Sequence, residues 1–283
     1  MKDVTYVYEA LNWASSFLES KEKEAHAAVW IMEDLLGVEG IEFQLKRREE
    51  LREDQKVSYQ AAIERFIAGE PVQYISGQAS FYGRKFNVNE HVLIPRPETE
   101  ELIELALKLM QEKGFRAPKI ADIATGSGAI SVTLSLECKE ARVVATDISK
   151  RALEVASGNA KKLGATRVAF REGDLTGPLV GETYNVIVSN PPYIPIAEVE
   201  KLHEHVKNQE PHLALAGGED GLLFYVRLAE ELPGILAEDG IVLLEIGYDQ
   251  GPTVSSLMEK AFPHAHVRIH QDLNGKDRII SIT

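Results

Sequence analysis

The chain has 283 residues, with 31 Lys and Arg against 44 Asp and Glu, a formal charge of −13. That length accommodates a large domain plus a small one, each with a core of its own. The acidic balance argues against holding naked nucleic acid or an anionic membrane by bulk electrostatics, although it leaves room for a local basic groove.

One cysteine, Cys138, removes any intramolecular disulfide framework or cysteine-rich zinc site. The first residues lack a basic segment followed by an apolar one, and no apolar run is long enough to span a membrane, so a cytoplasmic protein is expected.

Residues 1–77 read as a small all-helical domain. Val7, Leu11, Ala14, Phe17 and Leu18 recur at helical spacing, as do Ala28, Ile31, Met32, Leu35 and Leu36, with Gly37 and Gly40 as punctuation. The charged run 46–56 leads into a third helix with Ala62, Ile63, Phe66 and Ile67 on one face, closed by Gly69 and Pro71. Residues 1–80 hold 9 basic and 15 acidic side chains, which read most simply as solvated helix surface.

Residues 78–95 alternate apolar and polar side chains around Gly83 and Asn89, which predicts a β-hairpin linker. Within 96–283, β-rich runs at 119–124, 141–147, 167–174, 184–190 and 240–247 alternate with helical stretches. That alternation predicts α/β architecture, a mostly parallel, Rossmann-like sheet with helices on both faces. The runs 266–273 and 277–283, joined through Asn274 and Gly275, predict a C-terminal antiparallel hairpin.

The first run enters Asp122-Ile123-Ala124-Thr125-Gly126-Ser127-Gly128. Glycines at a strand-to-helix turn let backbone approach a ligand, although a Gly-x-Gly alone is as well explained by a tight turn and a helix cap. Asp147 ends the next strand, nineteen residues beyond Gly128, and can take both hydroxyls of a ribose. A nicotinamide dinucleotide fits poorly, because Ser131 stands where the third glycine belongs and Asp122 would lie near the pyrophosphate. S-adenosylmethionine has no pyrophosphate and carries cationic sulfonium and ammonium groups, so an acid beside the loop favours it. Asp174 can accept from the adenine amino group while Leu175 packs on the ring. The order of these features points to a methyltransferase.

The fourth run ends in Asn190-Pro191-Pro192-Tyr193. Two prolines fix φ twice and remove two donors, presenting the Asn190 side chain and the backbone carbonyls at the carboxyl edge of the sheet. An amide or aromatic amino nitrogen is a poor nucleophile because its lone pair is delocalised. The Asn190 side-chain oxygen and the Pro191 carbonyl can each accept one N–H and so localise it, with Tyr193 as an aromatic wall. On the tetrapeptide alone a rigid turn is an equal explanation. After the glycine loop, Asp147 and Asp174, the functional reading prevails.

Several further motifs are more specific. Gly69-Glu70-Pro71-Val72-Gln73-Tyr74-Ile75 closes the helical part, and Val92-Leu93-Ile94-Pro95-Arg96-Pro97-Glu98-Thr99-Glu100 spans the junction. Beyond Asn190 come Glu210-Pro211-His212-Leu213-Ala214-Leu215, Gly217-Gly218-Glu219-Asp220-Gly221, Leu244-Glu245-Ile246-Gly247 and Asp272-Leu273-Asn274-Gly275-Lys276-Asp277-Arg278. Through these motifs nearly the whole chain resembles the peptide chain release factor glutamine methyltransferase family, the HemK/PrmC type.

The resemblance implies a class I methyltransferase fold and methyl transfer from S-adenosyl-L-methionine to the glutamine side-chain amide in the Gly-Gly-Gln loop of release factors. It implies that Ala124, Thr125, Gly126, Ser127 and Gly128 contact the methionine part, Asp147 the ribose, and that Leu175 lies beside the adenine. Asn190, Pro191, Pro192 and Tyr193 would hold the glutamine, with Arg96 and Thr99 nearby. Arg96 could equally pair with Glu98 or Glu100. Many members carry Gly where this chain has Ala124. The N-terminal helices are the expected docking surface for the release factor, or simply a folded cap.

The rival enzyme is a DNA or RNA amino-methyltransferase, which needs a basic track for the strand. The only tight basic cluster, Lys46-Arg47-Arg48, runs straight into Glu49 and Glu50, so no direct nucleic-acid partner is expected. A non-catalytic sensor of S-adenosylmethionine would have no use for the amide clamp. His203, His205 and His212 match no zinc spacing, and no metal is expected.

Overall fold

The computed structural model describes residues 4–202 and 204–283; His203 therefore lies outside the described residues. Contacts divide the chain into two units, one of residues 4–78 with 204–209 and one of 79–202 with 210–283.

The first unit is helical. Its helices are α1 (Val7–Glu19), α2 (Ala27–Leu36), α3 (Gly40–Lys46), α4 (Glu53–Ile67) and α5 (Val72–Ser76). The α1 start is set by Glu9, whose Oε2 accepts the otherwise orphaned amides of Thr5 at 2.7 Å and Tyr6 at 3.1 Å. The core collects Leu11, Ala14, Leu18, Ala28, Ile31, Met32 and Ile63 at the expected spacing. It also collects Phe43, which anchors α3, a helix that the glycine punctuation hid. Tyr59 is buried among them and donates to the Ala28 carbonyl at 2.8 Å.

The second unit begins with a hairpin of β1 (Gln78–Phe81) and β2 (Arg84–Asn87), turned by Tyr82 and Gly83 at φ +49° and +69°. It is shorter than the sequence pattern suggests: Val88, Val92 and Ile94 are buried, but from loop rather than strand. Phe81 and Phe86 are fully part of the larger unit's core, so the hairpin folds with that unit.

There follow α6 (Glu98–Glu112), β3 (Lys119–Ile123), α7 (Ala129–Glu137), β4 (Arg142–Asp147), α8 (Lys150–Leu163), β5 (Val168–Glu172) and β6 (Tyr184–Ser189). After two short helices, α9 (Ile196–Val199) and α10 (Glu204–Lys207), come α11 (Leu223–Glu231), β7 (Leu236–Glu245), α12 (Gly251–Ala261), β8 (Val267–Gln271) and β9 (Asp277–Ile282).

The seven-stranded sheet runs β5-β4-β3-β6-β7-β9-β8, parallel through β7, with β9 antiparallel to both β7 and β8. Its inner strands are apolar on both faces because both faces are covered. Ile120, Val186, Val188, Ile241 and Leu243 point into one core layer with Leu102, Ile103 and Val132. Their neighbours Ala121, Ile187, Val242 and Leu244 point into the other, with Tyr225, Leu228, Val254 and Met258. Successive residues thus alternate between two cores, the period-2 rule applied to a double-sided sheet. Strand order reverses between β3 and β6, and a crevice opens at the carboxyl ends there, where open α/β sheets take their ligands. Among the described residues no helix is long and apolar enough to cross a membrane.

Candidate active site

The crevice is a cavity of about 450 Å³ in the larger unit, within the ~300–1,000 Å³ usual for small-molecule sites. Its lining includes Arg96, Thr99, Ala124, Thr125, Gly126, Ser127, Asp147, Asp174, Leu175, Asn190 and Pro192. Among the candidates read from the sequence, Gly128, Pro191 and Tyr193 fall outside that lining.

The glycine loop is held from beneath. Asp122, fully buried at the end of β3, accepts from Thr125 Oγ1 at 2.5 Å and from the Ser131 amide at 3.0 Å. Burial pushes its carboxyl up to about 7, and among the described residues its Oδ1 has no hydrogen-bond partner. Asp122 therefore shapes the loop instead of lining the cavity, and Ser131, which donates to Gly128 O at 3.3 Å, belongs to the same brace. Gly126 and Gly128 serve different purposes. Both have positive φ, +55° and +80°, but a Cβ on Gly126 would stand in open space, whereas one on Gly128 would meet Ala156 Cβ of α8 at 3.0 Å. The first glycine bares backbone to the cavity; the second lets α8 pack against the start of α7. Asn159 of α8 fixes the loop from the side, donating to Ser127 O and to Asn87 O, each at 2.9 Å.

Two non-glycine residues of the lining are left-handed, Ala124 at φ +61° and Leu175 at +43°. Strain of this kind, about 1–2 kcal/mol per residue, persists where the surroundings over-determine the backbone. Leu175 is held by Thr146 Oγ1, which donates to its carbonyl at 3.1 Å. Asp147, ending β4, accepts from the Gly126 amide at 2.9 Å and the Ser149 amide at 2.8 Å. Burial raises its pKa, while those amides act to lower it. Each oxygen keeps a lone pair for a further donor. Asp174 is different: Arg227 of α11 grips both its oxygens, at 3.1 and 2.9 Å.

At the other end of the cavity, Asn190 follows β6. Its Nδ2 donates to Thr99 Oγ1 at 3.3 Å, and Thr99 Oγ1 donates to Glu245 Oε2 at 2.7 Å. Among the described residues no hydrogen bond reaches Asn190 Oδ1, which leaves it free to accept. The following backbone is locked from below. Gln250 Nε2 donates to Tyr193 O at 3.0 Å, and a Cβ on Gly217 would strike Pro192 O at 2.7 Å. The Tyr193 ring packs against the core layer of Tyr225, so it does not wall the cavity. Burial, with Glu245 nearby, pushes its hydroxyl up to about 12, so it stays neutral. Arg96 pairs with neither Glu98 nor Glu100 but with Glu210, at 2.6 Å, and Glu210 Oε2 also accepts the Ile94 amide. Glu100 instead accepts the Tyr82 amide at 2.8 Å.

Glu245, Glu210, Arg227 and Asn159 were not among the candidates. Glu245 and Glu210 stand in two of the motifs that carry the family resemblance, and Glu245 is also a carboxylate at the end of the otherwise apolar run 240–246.

The PrmC N-terminal domain family model matches residues 9–77 and the methyltransferase small domain model matches residues 102–223. The release factor glutamine methyltransferase of Bacillus cereus is 48% identical over 277 residues, covering 97% of this chain and 98% of that protein. The chain belongs to the release factor glutamine methyltransferase family. The Bacillus subtilis member is 45% identical over 280 residues, covering 97% of this chain and 96% of its own length. The chain also shares its fold with a methyltransferase from Pyrococcus furiosus, at a TM-score of 0.52 and 19% identity, over 79% of this chain and 96% of that one.

Proposed function

We propose that this chain transfers a methyl group from S-adenosylmethionine to the side-chain amide nitrogen of the glutamine in the Gly-Gly-Gln loop of peptide chain release factors. The reading includes a cytoplasmic setting and no direct nucleic-acid partner. The observation that carries it is the coexistence of two halves in one cavity: an acid-and-glycine cradle at β3 and β4, and an amide acceptor at Asn190.

The first half suits S-adenosylmethionine. Gly126 bares its backbone, Asp147 has lone pairs for two ribose hydroxyls, and Leu175 and Phe224 offer apolar surface for a base. Bound there, S-adenosylmethionine supplies an electrophilic methyl group on a cationic sulfur. Asn190 Oδ1 and the Pro191 carbonyl accept the two N–H bonds of the incoming amide, which localises its lone pair and aims it. Holding two reactants in this way can supply about 7–11 kcal/mol of the barrier. No general base is required, because the nitrogen becomes acidic as it is alkylated and sheds its proton afterwards. The residues at 1–77 serve as the docking domain for the intact factor, and 96–283, with the hairpin 78–87 in their core, as the catalytic domain. Replacing Leu45 and Arg48, which line an open hollow with Tyr6 and Tyr8, by Glu should raise KM for intact release factor without changing cofactor affinity; an unaltered KM would remove that face from the docking role.

The direct test offers isotopically labelled S-adenosylmethionine with release factor, DNA or RNA in separate incubations, using wild type and Asn190→Ala. The expected result is label in release factor alone, lost on Gln→Ala in its Gly-Gly-Gln loop and lost with Asn190→Ala despite normal cofactor binding. Label only in nucleic acid would overturn the reading.

A further inference from the structure

Glu245 is a carboxylate at the end of a strand whose residues from Gly240 onward are all buried, and it is itself 1% exposed. It does not line the cavity. A buried carboxylate is costly, and replacing such groups by apolar ones is often neutral or stabilising, so stability alone does not account for it. Its contacts run instead to the acceptor end of the site. Thr99 of α6 donates to its Oε2 at 2.7 Å, and Asn190 Nδ2 donates to Thr99 Oγ1 at 3.3 Å. Asn190 also acts to lower the Glu245 pKa.

We infer that Glu245 is a positioning residue for methyl transfer, acting through Thr99 to hold the Asn190 carboxamide with its nitrogen inward and its oxygen toward the acceptor amide. The inference rests on the proposed function of Asn190. A carboxylate has no proton to give, so the single Thr99 hydroxyl proton goes to Glu245. Thr99 Oγ1 then has only lone pairs left, and the Asn190 end that faces it must be the NH₂. Turning the carboxamide over would oppose Oδ1 to those lone pairs and to the carboxylate. It would also present two N–H groups to an acceptor nitrogen that has N–H groups of its own.

The charge on Glu245 therefore sets the orientation. A protonated Glu245 can donate to Thr99, which frees the Thr99 proton to satisfy an inverted Asn190. Burial pushes the Glu245 carboxyl up to about 7, in the range where this matters. The charged and titratable groups facing it are Glu98 from α6, which raises its pKa, and Arg278 from β9, which lowers it. Tyr193, after β6, and Tyr225 of α11 also face it; the Tyr225 hydroxyl donates to the Glu245 backbone carbonyl at 2.7 Å. Both phenols stay neutral near pH 7, since burial raises them, so they do not compete for the same titration.

The test uses the full chain with Thr99→Val, Thr99→Ser and Glu245→Gln, read three ways. Thr99→Val should lower kcat for release factor by about ten- to a hundredfold, the scale of a hydrogen bond to a charged group, with the Kd for S-adenosylmethionine unchanged; Thr99→Ser should restore most of it. The wild-type kcat should fall on the acid side of pH 7, and Glu245→Gln should flatten that limb at a reduced rate. The third readout is independent of turnover: the Asn190 side-chain NH₂ resonance in an ¹⁵N spectrum should shift with pH near 7 in wild type and stay fixed in Glu245→Gln. Normal kcat in Thr99→Val, or loss that Thr99→Ser does not restore, would overturn the inference, as would a pH-independent Asn190 resonance. A failure of the proposed function itself looks different, because wild type would then leave release factor unlabelled at every pH.

Discussion

Alanine at Gly126 and at Gly128 should separate binding from folding, although the two glycines are two residues apart. At Gly128 two costs combine. An L-residue at φ +80° costs about 1–2 kcal/mol. The new Cβ would also sit 3.0 Å from Ala156 Cβ and 3.2 Å from Ala156 Cα, and overpacking against backbone typically costs about 1–3 kcal/mol. Reduced unfolded-state freedom returns about 0.4–1 kcal/mol, leaving a net loss of about 1–5 kcal/mol, larger than at Gly126. At Gly126, with φ +55° and nothing within 4 Å, only the backbone cost applies, and the net is about 0–1.6 kcal/mol. Its methyl group, however, would enter the cavity beside the amide that Asp147 holds. Urea unfolding should give a lower midpoint for Gly128→Ala at unchanged slope and a near-normal midpoint for Gly126→Ala. Titration calorimetry on folded protein should give the reverse order, with Gly126→Ala losing at least about tenfold in S-adenosylmethionine affinity. A Gly128→Ala protein as stable as wild type would refute the packing argument. Unchanged affinity in Gly126→Ala would refute the assignment of the loop to the cofactor.

Two further outcomes follow from the site's electrostatics. Asp122 has its pKa raised from 3.8 to about 7, so the native state holds a proton that the unfolded chain releases at lower pH. Its contribution to stability is complete below pH about 4 and declines as pH rises through about 7, by up to about 4 kcal/mol for a shift of that size. Glu245 adds a loss of the same sign. Asp122→Asn should therefore flatten part, not all, of the fall in urea-unfolding free energy between pH 5 and 8, and an unchanged slope would contradict it. The two acids of the cofactor end should also differ. Asp147→Ala should weaken S-adenosylmethionine binding about a hundredfold, for two charge-assisted bonds lost, while Asp174→Ala, whose oxygens already serve Arg227, should cost less than tenfold. Equal losses in calorimetry would mean that Asp174 carries as much of the ligand as Asp147.

Legibility of the structure from its sequence tracked the range of the interactions. The inner strands β3, β4, β6 and β7 were visible because each carries an apolar run, and burial on both faces is what such runs mean, whereas the edge strands β5 and β8 mix apolar with charged residues. The C-terminal hairpin was visible from Asn274 and Gly275, and Gly275 indeed takes φ +74°. Helix α3 was hidden because its identity rests on one side chain, Phe43, in a charged and glycine-flanked segment. The over-long hairpin came from Val88, Val92 and Ile94, whose alternation reflects burial of a loop.

Within the site, the residues that stand at strand ends were legible, because topology delivers them to one edge. Their partners were not. Arg96 finds Glu210 across 114 positions and Thr99 finds Glu245 across 146, while local reading offered only Glu98 and Glu100. Nor could the sequence say that Tyr193 turns into the core, since that depends on Gln250 and Gly217 fixing the backbone beneath it.

The central claim is that the Asn190 end of the cavity directs a methyl group onto the nitrogen of one glutamine side chain. The most direct measurement pairs ¹³C-methyl S-adenosylmethionine with release factor carrying ¹⁵N in its glutamine side chains, and looks by NMR for a one-bond carbon–nitrogen coupling. A single coupled methyl group, in the Gly-Gly-Gln loop, absent with Asn190→Ala, is the predicted result. A methyl group without that coupling, or coupled at another glutamine, would contradict the account.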